Sequence, residues 1–290
     1  MKFLKFFTIF LLVLLVVINP MVNLSFAQTE KQPTEKEINL YLQKAGYSEE
    51  VIAILEQPQK EYIYKEKLVY AYHKTETGNL KETNDNSNPE VQSGDVGIQS
   101  LSNWTATLVA SRFTTPSVSG KVEFNLDYNW TWDYPPSWTL TDKFGIAWTD
   151  DFDAYPSTAV YAYRAFGRHV SSTGVTYAEY STGNQFTYKD YTPGTGIGWE
   201  YDIISSFVKS NVDYGVYKHK GWGRIKIGKY SNKSGLDEQT SASASYFHKQ
   251  GTLTGTLTFS PTPSISITNG WCYDKSPDSG ATFSWNNYRY

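Results

Sequence analysis

Residues 122–134 read Val-Glu-Phe-Asn-Leu-Asp-Tyr-Asn-Trp-Thr-Trp-Asp-Tyr, and apolar or aromatic side chains occupy every second position. A two-residue repeat places alternate side chains on opposite faces of a β-strand. Similar short runs recur downstream, separated by Gly, Pro, Asn and Asp, at residues 159–163, 175–180, 185–191 and 214–217. From Trp104 onward, only residues 202–210 show a 3.6-residue repeat. Many short strands without helical crossovers predict a mainly β fold, an antiparallel β-sandwich or barrel.

The aromatic face of this stretch has two interpretations. Trp130, Trp132 and Tyr134 project from one face of the predicted strand, and a surface of this kind suits stacking on sugar rings. An antiparallel sandwich also needs such a face for its hydrophobic core. We expect the core, and the sugar-stacking surface remains the alternative.

The first 27 residues predict export. Lys2 and Lys5 precede an apolar run over residues 6–18, and small residues follow, so we expect signal cleavage between Ala27 and Gln28. The apolar run is shorter than the ~20 residues that a membrane-spanning helix needs. We therefore expect a secreted, extracellular protein.

An acidic, helical segment is predicted over residues 28–73. Residues 28–96 contain 8 basic and 13 acidic side chains, whereas the rest of the mature chain is neutral and carries all nine tryptophans. Thr34 and Glu37 form a capping-box pattern, and Ser48 is expected to cap a second helix that Pro58 ends. Helices shorter than ~12–15 residues are marginal in water, so both need another surface to cover.

Residues 74–102 are rich in Thr, Asn, Ser, Asp and Gly and predict a flexible linker. Linkers of this composition are where proteases cut. A signal peptide, a short helical segment and a linker in this order predict a propeptide that a processing protease removes. The alternative is a tethered helical subdomain that stays attached. Residues 103–290 then form an aromatic-rich β domain.

Motifs for catalysis are scarce. The sequence has no Gly-x-Ser-x-Gly elbow, no His-Glu-x-x-His and no phosphate-binding loop, and its four histidines are scattered. The acidic groups at 150–153 and 274–278 are expected to be turns rather than calcium loops. Cys272 is the only cysteine and is expected to be a buried free thiol. We predict no cofactor, metal or nucleic-acid partner and no enzymatic activity, although a triad assembled in space stays open.

A basic, aromatic cluster is the candidate binding site. It lies in a stretch without acids between Tyr214 and Leu236. Cations interleaved with aromatics suit anionic headgroups or wall polymers of a bacterial envelope. The alternative is a solvated edge strand whose charges face water or pair with the acidic segment. The candidate residues are Lys218, Lys220, Trp222, Arg224, Lys226, Lys229, Tyr230 and Lys233.

Residues 240–259 alternate small or apolar side chains with Ser and Thr on both sides of His248. An amphipathic hairpin of this kind is similar to the insertion stems of β-pore-forming toxins. We expect an ordinary sandwich hairpin with one solvated face.

One pattern in the N-terminal segment resembles the leader of exported proteins from bacilli. It reads Glu37-Ile38-x-x-Tyr41-Leu42-x-x-x-Gly46-Tyr47-Ser48-x-Glu50-Val51-Ile52, and Lys60 and Tyr62 follow it. The overall layout is similar to that of geobacillin-type large secreted bacteriocins. The resemblance implies a secreted antibacterial protein that is matured by cleavage and kills related bacteria. We expect it to act at the envelope of the target cell, with membrane permeabilisation as one route. The alternatives are a carbohydrate or cell-wall binding module without killing activity, and a secreted hydrolase.

Overall fold

Two antiparallel sheets pack face to face in the computed structural model, which describes residues 32–78, 81–82, 104–133, 139–149, 151–232 and 234–286. The predicted mainly β class is confirmed, and of the two predicted architectures the sandwich is the one observed. Residues from Glu35 onward form one compact unit, separate from residues 1–34. The predicted signal peptide and its cleavage site at Ala27 and Gln28 lie outside the described residues.

The described residues contain three α-helices, two short 3₁₀-helices (Pro156–Thr158 and Gly270–Cys272) and seventeen strands. The α-helices are α1 (Glu35–Lys44), α2 (Glu49–Ile54) and α3 (Gln57–Glu66). The strands are β1 (Leu68–Gly78), β2 (Lys81–Glu82), β3 (Trp104–Phe113), β4 (Lys121–Trp132), β5 (Thr141–Trp148), β6 (Asp153–Ala154), β7 (Val160–Ser171), β8 (Gly174–Ser181), β9 (Asp190–Thr192), β10 (Gly196–Asp202), β11 (Ser206–Lys209), β12 (Val212–Tyr230), β13 (Asp237–Lys249), β14 (Leu257–Ser260), β15 (Ser264–Ile267), β16 (Tyr273–Lys275) and β17 (Ala281–Asn286).

Sheet A has the strand order β1-β3-β4-β12-β7-β8, and β6 and β11 also pair with β12. Sheet B has the order β2-β16-β13-β5-β10-β9, and β17 also pairs with β13. The pair β14–β15 forms a separate two-stranded sheet. Strand β12 therefore lies in the middle of sheet A, between β4 and β7.

The core lies between the two sheets, as the alternation in β4 predicts. Trp130 and Trp132 are at most 2% exposed and point into this core, so the core interpretation of the aromatic face is confirmed. Sheet B contributes facing aromatics such as Phe144, Trp199 and Tyr246. The polar residues that alternate with these tryptophans, Asn129 and Thr131, consequently point to the opposite, outer face of sheet A.

The N-terminal segment packs against the outer face of sheet A. Its buried apolar side chains form a second core with Val109 and Phe113 of β3. This core confirms both predicted helical stripes; its members from α1–α3 and their connections are Ile38, Leu42, Tyr47, Val51, Ile52, Leu55 and Ile63. Ser48 caps α2 as predicted, since its hydroxyl accepts a hydrogen bond from the Val51 amide.

Two predictions about the N-terminal segment are corrected. Pro58 does not end the helical region, because it lies in the first turn of α3, where its missing N–H has no intrahelical partner to lose. Residues 74–78 do not begin a linker either, because they continue β1, which pairs along its length with β3. Lys81 and Glu82 then pair with β16 of sheet B. The described residues contain no more of the predicted linker.

The predicted hairpin at residues 240–259 is also wrong. Residues 237–249 form β13 in the middle of sheet B, where β5, β16 and β17 are its partners. Residues 257–260 pair instead with residues 264–267. Residues 202–210 are not helical, because they include the end of β10 and the strand β11.

The small hairpin β14–β15 lies on glycines of sheet B. A β-carbon on Gly196 would approach Phe259 Cδ1 to 2.2 Å, and one on Gly198 would approach Leu257 Cδ1 to 2.5 Å. The absence of side chains at these positions lets the apolar side of the hairpin pack directly on the sheet backbone. Cys272, buried and free as predicted, belongs to the same apolar cluster.

Candidate functional site

The outer face of sheet A is unusually polar for a surface that lies beneath helices. We call this surface the covered face. It is formed by outward-pointing side chains of β3, β4, β7 and β12, namely Thr107, Ser111, Glu123, Asn125, Asp127, Asn129, Arg164, Lys220, Arg224 and Lys226. Buried polar and charged groups are costly unless they are paired. The N-terminal segment supplies several of the partners.

Glu56 connects the α2–α3 junction to two strands of sheet A. Its carboxylate accepts hydrogen bonds from the Arg164 guanidinium of β7 and from the Lys220 ammonium of β12. Glu56 is only 12% exposed at its side chain, so solvent screens these ion pairs little. Arg164 also pairs with Glu179 of β8. One acidic residue of the N-terminal segment thus neutralises cations on two separate strands.

Tyr62 and Arg224 form a second contact between the segment and the sheet. The Arg224 guanidinium carbon lies 3.6 Å from the centroid of the Tyr62 ring, a cation–π geometry. Burial lowers the pKa of Arg224 and raises that of Tyr62 to about 12. The guanidinium is therefore shielded from water by the aromatic ring of α3.

Asp127 is the buried carboxylate opposite Arg224. It is fully buried on β4, in register with Arg224 on β12, and it accepts hydrogen bonds from Asn125 and from Gln59 Nε2 at 2.8 Å. Burial raises the pKa of Asp127 to about 6, although Arg224, Gln59 and Asn125 each act to lower it. The Gln59 contact is the one made by the N-terminal segment.

Glu123 and Lys226 form a buried ion pair at the other end of the covered face. Lys226 Nζ lies 2.6 Å from the Glu123 carboxylate and 2.8 Å from Ser117 Oγ. Burial alone would raise the pKa of Glu123, but hydrogen bonds from Lys226, Tyr155 and Ser117 hold it below its usual value. The residues that bind Glu123 and Lys226 here all belong to the β domain, so this ion pair does not depend on the N-terminal segment.

The predicted basic cluster does not form an open patch in this structure. It is also not an edge strand, because β12 lies between β4 and β7. Besides the pairs above, Lys218 pairs with Asp133 at 2.8 Å, and Lys229 pairs with Asp151 and Glu238. The predicted pairing with the acidic segment holds for Lys220.

The two aromatic members of the cluster have different surroundings. Trp222 is buried against Val160 and Ala162, whereas Tyr230 is exposed beside Lys121. Lys233, the remaining predicted site residue, lies outside the described residues. The candidate site is therefore the covered face, of which the predicted residues Lys220, Arg224 and Lys226 are part.

Beyond the helices, the outer face of sheet A carries an exposed apolar patch, formed by Val170, Val175, Tyr177 and Val208. Val170 and Val175 are direct partners on β7 and β8, and Tyr177 is the partner of Arg168. Val170 and Arg168 alternate in phase with Arg164, so they share the outer face with the covered residues. Cations, valines and tyrosine thus lie together next to the covered part of the sheet.

Other polar groups singled out by the sequence have structural roles. Asp278 pairs with Lys275 and accepts a hydrogen bond from Ser245, and Asp151 pairs with Lys229. No group of His, Cys, Asp and Glu among the described residues is arranged to hold a metal ion. None of the helices that the structure describes is long and apolar enough to cross a bilayer.

Sequence reasoning missed several residues of this site, among them Glu56, Gln59, Tyr62, Asp127 and Arg164. Asp127 follows the alternation of β4, and this pattern predicts a solvent-facing residue. Gln59 and Tyr62 belong to α3, and this helix was not predicted because Pro58 was interpreted as a helix end. Two features of the sequence could have indicated this site. Asp127 lies on the strand face opposite a strongly apolar one, and the N-terminal helices are too short to fold without a surface to cover.

No family description and no curated protein matches the chain. One similar solved structure, described as "AvmM Catalyzes Macrocyclization in Alchivemycin A Biosynthesis", shares 14% identity over 63% of this chain and 89% of its own, with a TM-score of 0.20. Another, described as "pH-induced modulation of Streptococcus parasanguinis adhesion by Fap1 fimbriae", shares 13% identity over 64% and 80%, with a TM-score of 0.19. Likeness at this level carries no functional argument.

Proposed function

We propose that this chain is a secreted, bacteriocin-like antibacterial protein that acts at the envelope of a target cell. In this proposal the N-terminal segment is a propeptide that holds the protein inactive by occupying the covered face. Proteolysis between residues 79 and 103 then separates the segment from the β domain. The observation that carries the proposal is the double ion pair of Glu56 with Arg164 and Lys220.

The position of the segment in the fold supports its removal. Strand β1 is at the edge of sheet A and pairs only with β3, so its loss leaves the remaining ladders of that sheet in place. The segment has its own apolar core, shared with β3 through Val109 and Phe113. Departure of the segment would uncover polar, cationic and apolar groups together.

The exposed groups fit an envelope target. Once Glu56 and Tyr62 leave, Lys220 loses its acidic partner, Arg164 keeps Glu179, and Arg224 keeps Asp127 but loses its aromatic cover. These three cations then become accessible to anionic groups. The apolar patch with Val175 and Tyr177 lies on the same face. Cations beside tyrosine and aliphatic side chains are the composition that binds the interface of an anionic bilayer.

The test is controlled cleavage. A recognition sequence for a site-specific protease is inserted between Asn86 and Ser87, and the cut protein is separated from its N-terminal segment under mild denaturant and refolded. We expect the β domain to inhibit growth of related bacteria and to release dye from anionic vesicles, while the uncut protein does neither. Equal inhibition by uncut and separated protein would contradict the propeptide role, and inactivity of both would contradict the antibacterial function.

A further inference from the structure

A polar cavity of about 170 Å³ lies between the α2–α3 junction and the outer face of sheet A. It has room for several water molecules or one small organic ring. The polar and charged residues that line it include Glu56, Thr105, Asn129, Thr131, Lys218 and Lys220. They come from four separate elements that the sheet and the helical segment bring together.

Asn129 is the unusual member of this cavity. It is 5% exposed, and within the part of the chain that the structure describes neither its Oδ1 nor its Nδ2 has a hydrogen-bond partner. Leaving a buried amide unpaired is unfavourable, because its water hydrogen bonds are lost without replacement. Asp127 on the same face is paired. Among the described residues Ser111 Oγ, Asn125 Oδ1 and Arg224 Nε each lack a hydrogen-bond partner, but Asn129 is unpaired at both groups of its side-chain amide. An amide that both donates and accepts is therefore directed into an open space.

The charges around the cavity are already compensated. Lys218 pairs with Asp133 at 2.8 Å, and Lys220 pairs with Glu56. An anionic ligand would have to displace a carboxylate from a lysine, whereas a neutral ligand would not. The cavity therefore favours a ligand without net charge.

The remaining lining groups define the chemistry further. Thr105 and Thr131 carry hydroxyls, which donate and accept hydrogen bonds as the Asn129 amide does. Ala53 and Ile54 provide an apolar wall from the helical segment. A ring that has hydroxyl groups on its edge and C–H groups on its face matches both surfaces.

We propose that this cavity binds one neutral saccharide unit, with the Asn129 amide as its central hydrogen-bonding group. The proposal is independent of the propeptide role, since it concerns the chain with its N-terminal segment attached. The aromatic residues of the same strand, Trp130 and Trp132, lie in the core, so the saccharide would meet the polar face of β4 rather than the aromatic one. Because Glu56, Ala53 and Ile54 belong to the segment, a bound saccharide would also hold the segment in place.

The test uses ¹⁵N-labelled full-length protein titrated with N-acetylglucosamine and with glucose, and with glucose 6-phosphate as the anionic comparison. We expect saturable shifts of the Asn129 side-chain amide signals and a rise in melting temperature with a neutral sugar. The Asn129→Ala variant should weaken binding roughly tenfold or more. Thr176→Ala, on the exposed strand β8, should bind as the unaltered protein does.

Three outcomes would overturn the proposal. The first is the absence of saturable shifts with either neutral sugar, which would mean that the cavity holds only water. The second is tighter binding of the phosphorylated sugar than of glucose. The third is unchanged binding in Asn129→Ala. If that variant does not fold, Thr131→Val, which removes only a hydroxyl at nearly constant volume, replaces it with the same expectation.

Discussion

The side-chain amide of Gln59 joins the helical segment to the β domain by donating a 2.8 Å hydrogen bond to the buried carboxylate of Asp127. The same amide, through Oε1, accepts a hydrogen bond from the backbone N–H of Glu56 at 2.9 Å. Gln59 therefore fixes the residue whose carboxylate binds Arg164 and Lys220. The Gln59 side chain thus both caps the start of helix α3 and docks the helix on sheet A.

Asp127 makes retention of the segment depend on pH. Its pKa is about 6 when covered and should return toward its ordinary value of 3.8 once departure of the segment exposes the carboxyl to water, because burial is the largest cause of the shift. The covered state therefore binds the proton more tightly, and retention of the segment should weaken as pH rises through 6. Between pH 5.0 and pH 7.5 this group alone weakens retention roughly tenfold.

Size-exclusion chromatography of protein cut at the inserted site, run at both pH values, measures this effect. The groups that face Asp127 are Arg224, Gln59, Asn125 and Tyr62, and all keep one charge state over this range. The Asp127→Asn variant should lose the pH dependence. A cut protein that retains the segment equally at both pH values would show that Asp127 does not control it.

Replacing Glu56 with Gln should loosen the segment. The variant leaves Lys220 without its acidic partner and removes one of two partners of Arg164. Loss of hydrogen bonds between charged groups should lower the free energy of unfolding by about 1–3 kcal/mol. Urea denaturation measures the difference. Glu61→Gln, an exposed change in the same segment, is the matched control and should alter stability little.

Gly196 should not tolerate a methyl group. A β-carbon there would lie 2.2 Å from Phe259 Cδ1, so Gly196→Ala must displace the β14–β15 hairpin from sheet B. We expect a loss of about 1–3 kcal/mol in the free energy of unfolding, as for other overpacked cores. Gly280→Ala is the control, because no atom lies within 4 Å of its added carbon. Equal stability of the two variants in urea would contradict this packing.

His248 should make the fold less stable at high pH. Burial acts to lower the pKa of His248, but the Asp142 carboxylate, 2.9 Å from Nδ1, raises it above its usual value. Because the pKa of His248 is higher in the folded state, its protonation stabilises the fold. This stabilisation is fully present below pH 6.5 and is lost as pH rises through the pKa of the folded state. His219, whose pKa burial lowers to about 3, is neutral throughout this upper range.

Urea denaturation between pH 7 and pH 9 should show stability falling with pH in the unaltered protein. In Asp142→Asn this part of the fall should be absent, although the variant is less stable overall because the carboxylate also accepts from Tyr246 and the Lys249 amide. A steeper fall in the variant would contradict the pairing. NMR titration of the His248 ring gives the pKa directly.

Local patterns were sufficient to predict an antiparallel sandwich or barrel and the two helical stripes, but not to choose between the two architectures. The alternation in β4 placed Trp130 and Trp132 inward, and Ser48 marked the start of α2, because both features depend on neighbours in sequence. Pro58 was misinterpreted since proline both ends helices and opens them. The hairpin at 240–259 failed because strand partners in a sandwich are distant in sequence and alternation alone does not name them.

The covered face could not be predicted for a related reason. Asp127 and Asn129 alternate with core residues, and this pattern ordinarily means exposure to water. Their burial depends on α1–α3, which lie more than sixty residues earlier in the chain. The partners of the basic residues of β12 could not be identified for the same reason, because Glu56, Asp133 and Asp151 are remote in sequence.

Mass spectrometry of the growth-inhibiting fraction from culture medium tests the propeptide proposal most directly. We predict an active species whose N-terminus falls between residues 79 and 103 and that lacks Glu56, Gln59 and Tyr62. An active species that begins at Gln28 and keeps the segment intact would contradict the proposal.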